Sequence, residues 1–343
     1  MTSFRSSPNV TASRAPSALD PGRRVADGRE LGRRLRDHDL TAASAALNLI
    51  ESRAPDDREQ ARALLAEVSP AALGREAPAH IVGITGPPGV GKSSLLSRLV
   101  AHWRSRQRSV AVLAVDPSSR RSGGSLLGDR ARIETDPRDR EVFIRSTAAG
   151  SRLGGLAPAT RAAADALAAA FDVVVIETVG VGQSETEVAD AVDTVAVVVQ
   201  PASGDVLQFL KAGIMEVPDV LVLTKTDLGA VATRAMADLR AALLALGASD
   251  TEVCAVSSVP PATGIAELAQ ALDAHRAALD LPDRRRTARR RHALENFAVE
   301  HGELGLRALG GRVQAERWLN GQDPDLDVPS LERALADRAE SRG

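Results

Sequence analysis

From residue 79 onward, short and nearly unbroken apolar runs alternate with stretches of helical periodicity. The runs are Ile81–Ile84, Val110–Val115, Val142–Ile144, Val173–Ile176, Val195–Val199, Val220–Leu223 and Val253–Val256. A strand that is apolar at consecutive positions is buried on both faces. Alternation with helices therefore predicts an α/β fold, a mostly parallel sheet covered on each side. Such sheets bind ligands beyond the carboxyl ends of their strands, so chemistry is expected just after each run. Upstream, residues 29–77 read as helical. Leu31 and Leu35 are four apart, and Leu47 and Ile50 continue an apolar face after Thr41. Pro55 breaks the run, and Asp56 with Glu59 has capping-box spacing for a helix through Val68. Residues 1–28, rich in Ser, Pro, Arg and Ala without periodicity, read as a disordered tail. The expected division is a tail (1–28), a helical extension (29–77), a nucleotide-binding domain (78–278) and a helical arm (279–343).

Composition narrows the function classes. The 343 residues carry 43 Lys+Arg against 45 Asp+Glu, a formal net charge of −2. That balance makes no general case for nucleic-acid or membrane-surface binding. The single cysteine, Cys254, excludes a disulfide framework and fits a reducing cytosol; within a strand it reads as a small core hydrophobe. No apolar run reaches the ~18–20 residues of a membrane-spanning helix, and the start Met1-Thr2-Ser3-Phe4-Arg5 lacks the apolar core of a signal peptide. A cytoplasmic protein is expected. The six arginines of Arg284-Arg285-Arg286 and Arg289-Arg290-Arg291 come without an aromatic stacking platform, aromatics being 2% of the chain. They read as a solvated hinge or a surface for an acidic partner rather than a nucleic-acid site. Only three of the 43 basic residues are lysines, Lys92, Lys211 and Lys225.

The first apolar run leads into Gly86-Pro87-Pro88-Gly89-Val90-Gly91-Lys92-Ser93-Ser94 and then a helical stretch. This is G-x-x-x-x-G-K-[ST] in strand–loop–helix context, the phosphate loop. Its glycines let backbone N–H groups close around a phosphate at a helix N-terminus. Lys92 is expected to reach the β- and γ-phosphates, and the Ser93 hydroxyl to ligate Mg²⁺. After Val173–Ile176 come Glu177-Thr178-Val179-Gly180, an acidic residue at a buried strand end three before a glycine, as in a Walker B arrangement. Glu177 is a candidate for holding Mg²⁺, and Gln183 for orienting the attacking water. After Val220–Leu223 come Thr224-Lys225-Thr226-Asp227, a T-K-x-D sequence. An Asp carboxylate there accepts from guanine N1–H and the exocyclic amine while the Lys stem packs on the ring. Adenine lacks that donor pair, so GTP is expected over ATP. Ser257 and Ser258, with Val259, follow a later strand on the same side. Asp116 ends the second strand, and Asp129 lies in the Gly-rich segment 123–129; both suit a region that rearranges with the γ-phosphate.

These segments resemble the MeaB/MMAA family, the G-proteins that chaperone cobalamin-dependent acyl-CoA mutases, known in older annotations as ArgK transport ATPases. The resemblance is carried by ITGPPGVGKSSLL from Ile84, VLAVDPSS from Val112, GGSLLGDRARI from Gly123 and FIRSTAAGSRLGGLAPATR from Phe143. It continues in IETVGVGQSE from Ile176, QPASGDVLQFLKAGIMEVPD from Gln200 and LTKTD from Leu223. It implies a SIMIBI-class P-loop G domain, homodimeric through helices after that domain. The implied activity is slow GTP hydrolysis coupled to gating cobalamin loading and to protecting or reactivating the mutase. By motif, Lys92 and Ser93 bind phosphate and Mg²⁺, and Asp116, Asp129 and Glu177 form the metal-side carboxylate set. Asp227 reads guanine. Lys211 lies in the segment the family uses as a third switch. The sequence has Thr224 where the family usually has Asn, Ser203 for a usual Ala, and a poorly matching final stretch of about 60 residues.

Two other readings remain. A P-loop kinase or ATPase, as the ArgK label suggests, needs an acceptor pocket and rarely carries T-K-x-D. A nickel-insertion GTPase wants clustered Cys and His ligands, whereas the six histidines are scattered along the chain.

Overall fold

The computed structural model describes residues 26–116, 133–148, 156–178, 188–201 and 218–341. Seven strands form one sheet: β1 His80–Thr85, β2 Val110–Asp116, β3 Val142–Ala148, β4 Val173–Thr178, β5 Thr194–Val199, β6 Val220–Leu223 and β7 Glu252–Ala255. Each coincides with one of the seven apolar runs. The helices are α1 Gly28–Arg36, α2 Ala43–Glu51, α3 Pro55–Glu67, α4 Pro70–Leu73, α5 Lys92–Ser105, α6 Pro158–Ala168, α7 Ala230–Ala245, α8 Ile265–Ala278, α9 Leu281–Ala308, α10 Arg312–Asn320 and α11 Val328–Glu340.

The strand order is β3-β2-β4-β1-β5-β6-β7, parallel throughout. Side chains alternate between the two faces. Ile81, Leu113, Val174, Ile176, Val197 and Leu221 enter one core. Val82, Ile84, Val112, Val175, Val198 and Val222 enter the other. Leu31, Leu47, Leu64, Leu167 and Leu239, from α1, α2, α3, α6 and α7, close the first core. Leu96, Leu99 and Trp103 of α5 and Leu268 and Leu272 of α8 close the second. Cys254 lies in the second core, and burial pushes its thiol up to about 11. The chain leaves β1 toward β2 and β3 on one side and places β5 to β7 on the other. The space past the carboxyl end of β1 is thus the switch point where neighbouring connections diverge, the usual ligand position in such sheets.

The N-terminal helices cover the sheet as a cap. Gly28 N donates to Gln60 Oε1 at 2.9 Å, and a Cβ at Gly28 would meet Gln60 O at 1.8 Å, so only glycine lets α1 approach α3 this closely. Leu35, Leu47 and Leu64 are fully buried, each contributing about 1.5–3 kcal/mol. The capping box of Asp56 and Glu59 does not form. The helix begins two residues earlier, with Ala54 as its unbonded N-cap and Pro55 at the first helical position. The Pro ring presets the helical φ and has no N–H to satisfy, and Asp57 is engaged instead by Ser52 Oγ at 2.5 Å.

The arm has its own small core of Leu294, Phe297, Leu309, Leu319, Leu331 and Leu335; its first helix, α9, is broken at Gly302, where φ is +62°. The arginine cluster at the start of α9 corrects the sequence reading of a solvated hinge or a surface for an acidic partner, since four of its arginines meet the chain's own carboxylates. Arg285 is 9% exposed and grips Asp193 with two bonds, Nε to Oδ1 at 2.8 Å and Nη2 to Oδ2 at 2.6 Å; it also donates to the carbonyls of Ala77 and Ala79. Arg289 holds Glu76 with two bonds of 2.9 and 2.8 Å. Arg291 meets Asp190 at 2.8 Å and Arg284 meets Asp219 at 3.5 Å. Helical spacing puts these residues on the face of α9 that lies against the amino ends of β1, β5 and β6, where the carboxylates sit. Beside them, Thr194 Oγ1 lies 2.8 Å from His80 Nε2 and 2.9 Å from His275 Nδ1. The outer ring nitrogens face Asp273 at 3.5 Å and Asp219 at 3.2 Å.

Candidate functional site

The phosphate loop runs from Gly86 to Gly91 between β1 and α5. Gly86 has φ +143°, and a Cβ there would sit 2.2 Å from Val198 O, so the loop passes over β5 at a distance only glycine permits. Gly89 and Gly91 have φ of +79° and +95°, conformations that L side chains rarely adopt. Gly91 is the N-cap of α5 and no side chain caps that helix, so its amino end presents backbone donors and the positive end of the helix dipole. Lys92 is 6% exposed, and its ammonium donates to Gly86 O at 2.6 Å and Pro87 O at 2.9 Å. Ser93 Oγ donates to Glu177 Oε1 at 2.9 Å. Glu177 is brought there by register, its Cα pairing with Ile84 on β1 and Ala114 on β2. Two hard oxygen donors thus meet beside the loop, a donor set that suits Mg²⁺ rather than a nitrogen- or sulfur-seeking metal. Asp116 ends β2 one strand away.

On the far side of the loop, Thr224 is 2% exposed; its hydroxyl lies 2.7 Å from Val90 O and 3.0 Å from Val199 O, tying β6 to the phosphate loop. Lys225 takes the left-handed conformation, φ +55°, which aims its side chain back across the loop. Its Nζ donates to Gly89 O at 3.0 Å and to Gln200 Oε1 at 2.5 Å. Asp227 Oδ1 accepts from Ser257 Oγ at 2.7 Å, and the same Oγ accepts from Val259 N at 3.3 Å. Asp227 caps neither the short 3₁₀ turn Thr226–Leu228 nor α7; the N-caps there are Lys225 and Gly229, without side-chain bonds. Ser258 O accepts from Arg98 Nε of α5 at 3.2 Å, and Val259 is 56% exposed. Gly86 through Ser94, Glu177, Thr224, Lys225, Asp227, Ser257 and Ser258 are therefore drawn to one end of the sheet. Asp129, Gln183 and Lys211 lie outside the described residues, as does the side chain of Asp116.

Two contacts here went unread in the sequence. Gln200, which pins the Lys225 ammonium, stands directly after β5, and a polar residue at that strand end was its available signal. Arg98 gives no local signal, since its partner lies 160 residues away. Among the described residues no cluster of three or more His, Cys, Asp or Glu side chains is arranged to hold a metal, and no helix is long and apolar enough to cross a membrane.

A family model described as the methylmalonyl-CoA mutase-associated GTPase MeaB matches residues 43–307. The chain is 46% identical over 194 residues to a probable GTPase of Mycobacterium bovis, covering 56% of each chain. It is 43% identical over 197 residues to a mitochondrial methylmalonic aciduria type A homolog of Caenorhabditis elegans, covering 54% of this chain and 49% of that one. The matched stretch thus spans about half the length of these curated relatives. Among solved structures, one described as a LAO/AO transport system kinase superposes with a TM-score of 0.61 at 26% identity, covering 94% of this chain and 100% of that one.

Proposed function

The chain belongs to the MeaB family of methylmalonyl-CoA mutase-associated GTPases, and from that premise we propose that it binds GTP and GDP with Mg²⁺, hydrolyses GTP to GDP and phosphate slowly on its own, and chaperones a cobalamin-dependent acyl-CoA mutase. The chaperone role is gating of cofactor loading and protection or reactivation of the mutase. The observation that carries the guanine assignment is Asp227, held by Ser257 and set beside Lys225 across the phosphate loop. Family membership supports the mutase as partner. In the same reading the chain is cytoplasmic and homodimeric through the arm at 279–343, with 29–77 as a helical extension of the G domain at 78–278.

The proposed chemistry follows from charge. Backbone donors of Gly86 to Gly91 surround the phosphates, and Lys92 turns from the Gly86 and Pro87 carbonyls toward the β- and γ-phosphates. There it stabilises charge that grows as the γ-phosphoryl group departs. Ser93 and Glu177, with Asp116 and Asp129, would hold Mg²⁺, which when bound neutralises charge on the bridging phosphates. Gln183 orients the attacking water. Lys211 couples nucleotide state to the partner. Pro87, Pro88, Val90 and Ser94 shape the loop, and Thr224, Ser258 and Val259 line the base side.

Calorimetric titration with GTP, GDP and ATP tests the nucleotide half; equal affinity for ATP overturns it. Pull-down from native lysate with a non-hydrolysable GTP analogue tests the partner: recovery of a cobalamin-dependent mutase supports it, and absence under GTP, GDP and nucleotide-free conditions overturns it. The likeness to a transport system kinase makes phosphoryl transfer the competing outcome, and scoring transfer to amino acids against release to water separates the two.

A further inference from the structure

The two segments on the base side are anchored differently. The segment after β6 is tied straight to the phosphate loop, by Thr224 Oγ1 at Val90 O and by Lys225 Nζ at Gly89 O. The segment after β7 has another support. It leaves the sheet at Val256 and closes its neck with two backbone bonds of 3.0 Å between Ser257 and Thr263. Residues 258–262 form a loop between them. What reaches this loop is Arg98 of α5, the helix that begins at Lys92: its Nε donates to Ser258 O at 3.2 Å.

That bond is the first of a series. The Ser258–Val259 peptide is trans, so its C=O and N–H point in opposite directions. Arg98 holds the carbonyl end. At the other end of the same peptide plane, Val259 N–H donates to Ser257 Oγ at 3.3 Å. Ser257 Oγ in turn donates to Asp227 Oδ1 at 2.7 Å. Every link donates in the same sense, from guanidinium to peptide to hydroxyl to carboxylate. Such a series reinforces itself. A cation on the carbonyl polarises the peptide, its N–H becomes a better donor, and the hydroxyl that accepts from it donates more strongly. The hydroxyl carries one proton. With Val259 N–H on an oxygen lone pair, that proton is left for the carboxylate.

We propose that Arg98 is a positioning residue for base recognition: through the Ser258–Val259 peptide and Ser257 it aims the Asp227 carboxylate, and so sets how strongly guanine is preferred over bases that lack its donor pair. This role rests on the guanine reading of Asp227. Six residues separate Arg98 from Lys92, about 9 Å along α5. One rigid helix thus carries the phosphate-side ammonium at its start and the support for the base side further on. The packing of the helix does not need the guanidinium. Leu95, Leu96 and Leu99 of α5 meet Leu268 and Leu272 of α8 in the second core. Arg98 instead borders an open cavity of about 510 Å³ with His102, Thr263 and Glu267.

The test is calorimetric titration of the full chain with GDP and with inosine diphosphate, whose base keeps N1–H and lacks the exocyclic amine. Arg98→Met retains an apolar stem and removes the donor, so it is expected to fold. It is expected to weaken GDP about fourfold and inosine diphosphate about twofold or less, so the preference between them falls. In a Ser257→Ala chain, where the series is already cut, Arg98→Met is expected to cost nothing further. An Arg98→Met chain that keeps the full preference for GDP overturns the proposal. So does an equal loss for both nucleotides, which marks a merely structural role, or a loss in the Ser257→Ala chain as large as in the unmodified one. An unmodified chain without preference for GDP over inosine diphosphate overturns the guanine reading itself, and this role with it.

Discussion

At the scale of single residues, the proposed base side of the nucleotide site rests on the Asp227–Ser257 pair, whose parts separate in experiment. Ser257→Ala is expected to leave the fold intact and weaken GTP and GDP by about 1 kcal/mol, roughly fivefold, because Asp227 loses the hydroxyl that aims it. Asp227→Ala is expected to cost about 2–3 kcal/mol, since a charged acceptor for two base donors is lost; calorimetry with GDP reads both. Gly86→Ala is expected to abolish phosphate binding, because the new Cβ meets Val198 O at 2.2 Å and one of the two backbones must move. His292 sets an acid limit. Burial, with the charges of Arg161 and Arg291, pushes its pKa down to about 3. The folded chain therefore keeps it neutral where the unfolded chain takes up a proton. The stability it contributes is whole above about pH 6.5 and is lost as the pH falls toward 3. Urea titrations of His292→Gln are expected to show a shallower decline between about pH 6 and 4 than the unmodified chain. The placement of these residues was legible in the sequence, because motifs set residue types at fixed spacing: Lys92, Ser93, Glu177 and Asp227 were all marked by motif and stand at one end of the sheet. The contact of Gln200 with Lys225 and that of Arg98 with Ser258 were not read, because each is set by tertiary geometry and has no required spacing.

At the scale of elements, the seven strands could be read because a strand buried on both faces has to be apolar at every position. The start of α3 could not. A Pro at the first helical position and a capping box one residue later are both legitimate helix starts, and local pattern does not choose between them. The arginine cluster misled for a related reason. Charge density shows that a helix is rich in cations and not what faces it, and the carboxylates that neutralise α9 come from Glu76, Asp190, Asp193 and Asp219. The consequence is measurable. Arg285→Met leaves Asp193 buried without its counter-ion and is expected to destabilise by about 3–5 kcal/mol, read as a fall in the thermal midpoint. Adding Asp193→Asn is expected to restore part of the loss, since the stranded charge is removed. Burial pushes the Asp193 carboxyl up, but Arg285, with the Ile81 N–H and His80, offsets this and leaves it below its ordinary value. The contribution of the pair is therefore present above the unfolded carboxylate pKa and lost as pH falls through the folded one.

At the scale of the whole molecule, the sheet has two working ends. Its carboxyl end carries the phosphate loop and the Lys225–Asp227–Ser257 group. Its amino end carries the arm and the histidine–threonine chain. Thr194 is fully buried and its hydroxyl bridges two imidazoles, able to donate to one ring nitrogen and accept from the other. Thr194→Val strands a nitrogen on each side and is expected to cost about 2–3 kcal/mol in denaturant unfolding. Deleting everything after Ala278 is expected to do more than shorten the protein. It bares Glu76, Asp190, Asp193 and Asp219 together, and the remaining G domain is expected to lose its cooperative thermal transition or precipitate on expression.

The same dependence has a consequence during biosynthesis. Translation delivers every strand of the sheet before it delivers Arg284 to Arg291. While the ribosome is still adding the arm, the nascent sheet carries Glu76, Asp190, Asp193 and Asp219 at its amino end without the arginines that pair with them. The phosphate loop is complete in sequence long before its platform is. A nucleotide that bound this half-made chain would stabilise one end of the sheet while the other still waited for the arginines of α9, so the two ends of the sheet are completed at different points of synthesis.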